Sequence, residues 1–220
     1  SNTAGLCFGG YTTTNVANSE SYDGTSWTEG PDLATARRFL GGSVGGTAPA
    51  ALAFGGFASN DTGATEEYNS STNTITVGAW ASGPAMGTGR YLGGYGTNTP
   101  TSAAITFGGH STTSTALTET FDGSSWSEQP DMNTARSRIK GFGTQTAAAV
   151  MGGRVVGTPT DTMDDTEEFD GSSWTNVNNY PADNRGIGGA GTQTAGLALG
   201  GNNPAIASVF DYDGTNWTAA

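Results

Sequence analysis

The chain repeats one pattern five times, and this repetition constrains its fold more than any other feature. Apolar stretches run into diglycines that end at Gly10, Gly56, Gly109, Gly153 and Gly201. A tryptophan follows each of them, at Trp27, Trp80, Trp126, Trp174 and Trp217, so that successive tryptophans lie 53, 46, 48 and 43 residues apart. Self-similarity at such a period predicts an array in which every unit is one supersecondary element.

Each unit contains signals for a hairpin of short strands. The apolar stretch before the diglycine predicts a buried strand, and an alternating segment such as "EEFD" at 167–170 predicts a second one. An Asp-Gly step then predicts a tight turn, because glycine accepts a positive φ and aspartate bonds to nearby backbone amides. A third strand is expected to restart at the tryptophan. The second unit departs from this pattern, with a longer hairpin predicted over 69–80.

A fourth segment follows the tryptophan and joins one unit to the next. It carries an arginine ten or eleven residues after the tryptophan, at Arg37, Arg90, Arg136 and Arg185, and then a glycine-rich stretch. A strand so rich in glycine is suited to a place where another backbone approaches closely. We therefore expect this segment to form the innermost strand of a radial array.

These segments predict an all-β fold, a β-propeller of five blades with mostly four antiparallel strands each. The 36 glycines and the 34% apolar content also argue against helix. We expect a single domain over 1–220, with repeat units at about 1–30, 31–83, 84–129, 130–180 and 181–220. Only four innermost segments are present for five units. Either sequence outside the chain completes the ring, or one blade lacks its inner strand, or the array is an open arc; we favour the ring.

The repeated Gly-Gly, Tyr-Asp, Trp and Pro-to-Arg elements resemble the kelch motif, as found in the central domain of galactose oxidase-like proteins. The chain differs from that motif in its short Asp-Gly turn and its "GTQTA" connection at 143–147. In this variant it also resembles tandem repeats of marine bacteriophage structural proteins. The resemblance implies a propeller fold and, for the phage repeats, a virion setting. The copper site of galactose oxidase needs two histidine ligands, whereas His110 is the only histidine here.

Charge and composition disfavour several classes of function. The formal net charge of −12 repels a phosphate backbone, so no nucleic-acid partner is expected. No apolar run approaches the roughly 18 residues of a membrane helix, so no membrane insertion is expected. With one cysteine and one histidine, we expect no disulfide, no metal site and no cofactor.

Several recurring residues have both a structural and a chemical interpretation. We interpret the four arginines as structural donors to loop carbonyls, with an anion-binding ring as the alternative. The recurring carboxylates (Glu20, Glu66, Glu119 and Glu167) are interpreted as partners of the arginines or of backbone amides, although paired carboxylates also serve glycosidases. Cys7 aligns with small residues and is expected to fill the core. The loop carboxylates Asp161, Asp164 and Asp165 are interpreted as solvated, with Ca²⁺ binding as the alternative.

The position directly after each diglycine varies from unit to unit. It is occupied by Tyr11, Phe57, His110, Arg154 and Asn202. In a propeller these loops share one face, and varied aromatic and polar side chains on a common face are typical of a recognition surface. The alternative is that the loops drift because nothing constrains them.

The sequence therefore predicts a non-catalytic propeller that acts as a structural or receptor-recognition module, in a phage virion or appendage. The alternative is a secreted carbohydrate-binding or glycan-processing propeller. In both cases the expected partners are other proteins or surface glycans, and the expected location is the virion or the extracellular space.

Overall fold

Five small antiparallel sheets make up the structure. It is a computed structural model that describes residues 5–44, 50–69, 79–97, 99–155, 161–202 and 204–220 of the chain. Within these residues the sheets lie as blades in a ring. Four blades have four strands and the first has three. The predicted five-bladed β-propeller is thus confirmed; most of the long hairpin expected over 69–80 lies outside the described residues.

Strands β1 to β19 follow one another in chain order, and blades 2 to 5 each begin with the innermost strand. Blade 1 contains β1 (Gly5–Tyr11), β2 (Asn15–Tyr22) and β3 (Trp27–Glu29). Blade 2 contains β4 (Gly41–Val44), β5 (Ala50–Phe54), β6 (Thr65–Asn69) and β7 (Ala79–Gly83). Blade 3 contains β8 (Gly94–Tyr95), β9 (Ile105–Phe107), β10 (Thr118–Phe121) and β11 (Trp126–Gln129). Blade 4 contains β12 (Lys140–Thr144), β13 (Ala147–Met151), β14 (Thr166–Phe169) and β15 (Trp174–Val177). Blade 5 contains β16 (Gly188–Thr192), β17 (Ala195–Leu199), β18 (Val209–Tyr212) and β19 (Trp217–Ala219).

The two ends of the blades carry different connections. At the end that we call the lower face, each Asp-Gly turn lies beside an inner connection, as Gly171 lies beside Thr146. At the opposite end, the upper face, the diglycines meet the arginine segments: Gly109 N donates to Arg136 O over 2.9 Å. The sequence therefore correctly separated the constant turns from the variable loops.

The Asp-Gly turns close the outer hairpins through side-chain hydrogen bonds. In blade 3, Asp122 Oδ1 accepts from Ser124 N and Ser125 N, both at 2.8 Å, and Gly123 has a φ of 95°. These amide donors stabilise the carboxylate and lower the pKa of Asp122 to about 2. The same turn recurs at Asp23, Asp170 and Asp213.

Each tryptophan after the first joins its blade to the preceding one. Trp174 of blade 4 packs edge-on against Phe107 of blade 3, with ring centroids 5.1 Å apart, and its Nε1 donates to Thr118 Oγ1 over 3.0 Å. Trp126 bonds Thr65 and Trp217 bonds Thr166 in the same way. The strand predicted to restart at each of these tryptophans is confirmed, and the tryptophans also anchor neighbouring blades to one another.

The inner strands pack as closely as their glycine content predicts. A Cβ added at Gly94 would lie 2.2 Å from the Phe107 ring, and one at Gly141 would lie 2.4 Å from the same ring. Real Cβ atoms do not approach so closely, so these positions require glycine. The contacts place β4, β8, β12 and β16 side by side in that order.

Buried ion pairs hold three of the inner segments to their blades. Arg136 Nη2 lies 2.5 Å from Glu167 Oε1, and both side chains are fully buried. Glu167 Oε2 also accepts from the backbone N of Asn133 over 2.7 Å. Arg37 pairs with Glu66, and Arg90 pairs with Glu119. The structural interpretation of these arginines and glutamates is therefore confirmed.

The fourth arginine does not belong to this set. Asn184, one residue earlier than Arg185, takes the equivalent buried place, and its carbonyl accepts from Gly153 N over 2.8 Å. Phe210 stands in β18 where the other blades have glutamate. Because both members of the ion pair are replaced together, blade 5 needs no arginine there, and the sequence alignment was wrong by one residue.

The face of blade 1 that points away from blade 2 is uncovered. Cys7 is exposed, whereas the residues at its aligned positions (Ala53, Thr106, Val150 and Ala198) are buried. The expectation that Cys7 fills the core is therefore wrong. Glu20 is exposed too, unlike Glu66, Glu119 and Glu167. Both differences occur in the blade that has no innermost strand in the described chain.

Breaking a buried pair should strongly destabilise the fold. We expect Glu167→Ala to lower the free energy of unfolding by about 3–5 kcal/mol, because it leaves the Arg136 guanidinium buried without its anion. Chemical denaturation followed by circular dichroism measures this loss. Glu128→Gln, at an exposed position of β11, is the matched control and should change stability by less than about 0.5 kcal/mol. A loss of that small size in Glu167→Ala would show that the pair does not hold the segment.

The Asp-Gly turns should make stability depend on pH in the acid range. Hydrogen bonds to the carboxylates lower the pKa of Asp122 and Asp170 from the ordinary value of 3.8 to about 2 in the folded protein. Their contribution to the stability of the fold is therefore fully present above about pH 3.8 and is lost as the pH falls through about 2. We expect Asp122→Ala to lower the melting temperature at pH 7, by an amount that shrinks between pH 4 and pH 2. Asp122→Asn keeps a neutral acceptor in the turn, so its melting temperature should change less between pH 4 and pH 2 than that of the unsubstituted protein. An identical pH dependence of the melting temperature in the unsubstituted protein and in both variants would contradict this account.

Candidate ligand-binding face

The five variable residues predicted from the sequence lie along the upper face. Phe57 exchanges two backbone hydrogen bonds with Arg38, of 2.8 and 3.1 Å, and His110 exchanges two with Tyr91, of 2.7 and 3.0 Å. Arg154 is bonded to Ser137 in the same manner, and Asn202 N donates to Arg185 O over 3.0 Å. Tyr11 ends β1 at the same end of blade 1. The backbone beside four of these residues is thus fixed against the inner segments.

Aromatic side chains of blades 1 to 3 form one continuous group, which we call the aromatic cluster: Tyr11, Arg38, Phe39, Phe57, Tyr91 and His110. The Arg38 guanidinium lies 4.6 Å from the ring centroid of Tyr11 and 5.2 Å from that of Phe57. Tyr91 contacts the rings of Phe39, Phe57 and His110 at centroid distances of 6.0, 5.5 and 5.2 Å. Tyr11 and Phe39 remain 56% and 50% exposed, so the cluster offers apolar rings to solvent.

Blades 4 and 5 place a charged group on the other part of the upper face. Arg154 Nη2 lies 2.6 Å from Asp161 Oδ2, and Arg185 Nη1 lies 3.8 Å from the same oxygen. One carboxylate therefore faces two guanidinium groups. These side chains are only partly buried, with exposures of 22 to 33%, so the group carries a net positive charge that solvent reaches.

A cavity of about 310 Å³ opens between the inner segments. Its walls come from blades 2 to 5 and include Phe39, Leu92, Arg138, Lys140, Ile187 and Asn202. Lys140 Nζ donates to Tyr95 OH over 2.9 Å and lies 4.1 Å from the centroid of that ring. Arg138 is exposed, and neither cation forms a salt bridge with another described residue.

Four equivalent wall positions have a left-handed backbone. They are Phe39, Leu92, Arg138 and Gly186, with φ of 56°, 56°, 54° and 67°. Each comes two residues after the buried Arg or Asn of its segment. Backbone hydrogen bonds run between adjacent segments here: Leu92 N donates to Phe39 O and Ile139 N to Leu92 O, both at 3.4 Å, and Gly186 N donates to Arg138 O at 2.8 Å. Three bulky residues in this conformation store strain, and such strain concentrates at ligand sites.

The charge of the chain is divided unevenly over its surface. Three of the eight Lys and Arg residues are buried in ion pairs. The other five all lie on the upper face, at Arg38, Arg138, Lys140, Arg154 and Arg185. An acidic protein thus presents its unburied cations on one face, where Arg138 and Lys140 line the cavity and Arg38 belongs to the aromatic cluster.

Of the wall residues named above, the sequence predicted Asn202 as a site residue and missed the others. It placed Tyr11, Phe57, His110, Arg154 and Asn202 on this face, but it treated the segment after each arginine as constant scaffold. The available signal was the position two residues beyond the buried side chain, where Phe39, Leu92, Arg138 and Gly186 differ completely. The positive φ at these positions is set by the path of the segment in three dimensions, and no local sequence pattern predicts it.

The three carboxylates of the acidic loop of blade 4 have protein partners in the described part of the chain. Asp161 is turned toward Arg154, whereas Asp164 and Asp165 accept from Asn179 Nδ2 at 3.0 and 3.4 Å. Over the described ranges, no group of three or more His, Cys, Asp or Glu residues is arranged to hold a metal ion. In the same part of the chain, no helix is long and apolar enough to cross a membrane.

The chain matches no protein-family model, and a comparison with curated proteins finds no match.

The strain at Arg138 can be measured by substitution. We expect Arg138→Gly to be more stable than Arg138→Ala by about 1 kcal/mol, because glycine tolerates the left-handed conformation and alanine does not. Urea denaturation of the two variants measures the difference. Ser127, exposed in the extended strand β11, is the control position, where the alanine variant should be the more stable one. Equal stabilities of the two Arg138 variants would contradict a strained backbone.

Proposed function

We propose that the protein is a non-catalytic recognition module that binds acidic surface glycans on its upper face. The observation that carries this proposal is the placement of all five unburied cations on one face, two of them in the wall of a cavity, on a chain with a formal net charge of −12. Two of them, Arg138 and Lys140, line the cavity and form no salt bridge with any described residue. Guanidinium and ammonium groups placed in this way suit carboxylates.

The aromatic cluster favours a sugar over a simple anion. Tyr11 and Phe39 are about half exposed beside Arg38, and rings of this kind provide a large, rigid apolar contact area. A pyranose ring presents an apolar face of matching size, and its carboxylate would lie toward the cavity. The adjacent Asp161, which already faces two arginines, would keep the site selective for ligands of limited negative charge.

The setting that we propose is a phage virion or one of its appendages, as a kelch-like propeller. The support is the resemblance of the repeats to those of marine bacteriophage structural proteins. A rigid scaffold with variable side chains at equivalent positions also suits a receptor-binding surface. A secreted glycan-processing propeller is the rival, and it would release a shortened glycan.

Glycan binding by defined variants tests this proposal. We expect sialylated or uronate-containing oligosaccharides to bind more tightly than their neutral counterparts, and Arg138→Ala to weaken binding about tenfold or more, as expected for loss of a hydrogen bond to a charged group. Arg138→Lys keeps the charge and should retain part of the affinity. Isothermal titration calorimetry measures the dissociation constants.

Three results would contradict the proposal. Equal affinity for neutral and acidic glycans would exclude recognition by charge. Binding of acidic peptides with no binding of glycans would identify a different ligand class. A shortened oligosaccharide after long incubation would show that the protein is an enzyme.

A further inference from the structure

We propose that the joint between blade 5 and blade 1 is a docking site for an extended peptide segment with the chemistry of the chain's own inner segments. The required chemistry is an arginine, followed by a glycine-rich strand and a glutamine. The residues that define this site are not among those that line the upper-face cavity, so the inference does not depend on the proposed function. We call this region the closing joint and define it by Cys7, Trp27 and Leu199.

The closing joint exposes apolar groups that every other joint covers. Trp27 is 54% exposed and Leu199 is 42% exposed. At the joint between blades 3 and 4, the equivalent residues are Trp174 and Phe107, which are buried and in contact. Exposed apolar groups on two facing blades mark a surface that a partner covers.

The inner side of this joint is an open strand edge. In the described chain β1 pairs only with β2, whereas β5, β9, β13 and β17 each pair with an inner strand as well. On the blade 5 side, Ala190 and Gly191 of β16 are exposed, while the equivalent Phe142 and Gly143 of β12 are buried. An open edge of this kind accepts an additional strand through main-chain hydrogen bonds.

The charge at the edge indicates what the added strand carries. Glu20 is the exposed counterpart of Glu167, which pairs with Arg136 of the inner segment of blade 4. An added segment with an arginine at that position would pair with Glu20. Its glycines would permit the close approach that Gly141 makes against Phe107 and Ala149.

Blade 5 also offers a binding position for the glutamine of such a segment. Gln193 of the inner connection of blade 5 clamps blade 4, since its Nε2 donates to the carbonyls of Ala148 and Phe169 at 3.0 and 3.1 Å. The counterparts of these residues in blade 5 are Gly196 and Tyr212, which line an open cavity of about 560 Å³. One occupant, an inner segment of this repeat, therefore matches all four features of the joint: the exposed apolar groups, the open strand edge, Glu20 and the cavity on blade 5.

A synthetic peptide with the sequence of residues 130–146 is the probe. It contains Arg136, Gly141, Gly143 and Gln145. We expect a fluorescent version to bind the 220-residue chain with saturable one-to-one stoichiometry, measured by anisotropy at about 0.15 M salt, where long-range charge effects are screened. We also expect bound peptide to slow the alkylation of Cys7, which lies at the joint.

A double-mutant cycle tests the ion pair. Glu20→Gln in the protein and Arg136→Gln in the peptide should each weaken binding about tenfold, and the two together should cost little more than either alone. Glu128→Gln removes the same charge from an exposed strand of blade 3 and should leave the affinity unchanged. Circular dichroism of each variant verifies that the fold is retained.

The proposal is overturned by any of four results: no binding of the peptide, equal binding of a scrambled peptide, additive effects in the cycle, or unchanged alkylation of Cys7. A fifth result also overturns it. If sedimentation of the chain alone shows a dimer that Trp27→Ala abolishes, the joint is covered by a second copy of the protein.

Discussion

Burial of an arginine against a glutamate organises three of the inner segments, and much of the remaining structure depends on it. Desolvation offsets most of the Coulomb attraction of such a pair, so its main effect is to fix one arrangement of the groups around it. Glu167 accepts from the backbone N of Asn133 while it holds Arg136, which fixes the path of the chain leading into the arginine. Two residues later the backbone turns left-handed at Arg138 and directs the chain into β12. The geometry of the cavity thus begins with a pair that is itself out of reach of solvent.

Blade 5 shows that this device has a substitute. Asn184 and Phe210 replace the pair, and Asn184 uses its side chain to bond the carbonyl of Pro204 and the backbone N of Arg185. An uncharged polar side chain that hydrogen-bonds to local backbone groups can thus replace a buried ion pair. Arg185 is therefore not needed in the buried position and lies near Asp161 and Arg154 at the surface.

The repeat predicted the architecture because each of its signals acts locally. Asp122 and Gly123 make a turn with their immediate neighbours, and Trp174 needs only the Thr118 and Phe107 that the preceding unit supplies. The face that carries Tyr11, Phe57 and His110 followed from the same alignment. The strained positions did not, because the φ of Phe39 or Leu92 is imposed by the packing of the whole segment. The prediction that Cys7 is buried was wrong for a related reason. Burial at its position depends on an inner strand that blade 1 does not have in the described chain.

The exposed face of blade 1 also bears on how the molecule unfolds. In a repeat array, stability is approximately the sum of the intrinsic terms of the units and the terms of their interfaces. Blade 1 has its Phe8 against Trp80 of blade 2, but its Trp27 has no comparable cover. We therefore expect blade 1 to be the weakest cooperative unit of the ring, where local opening starts and where amide hydrogens exchange first.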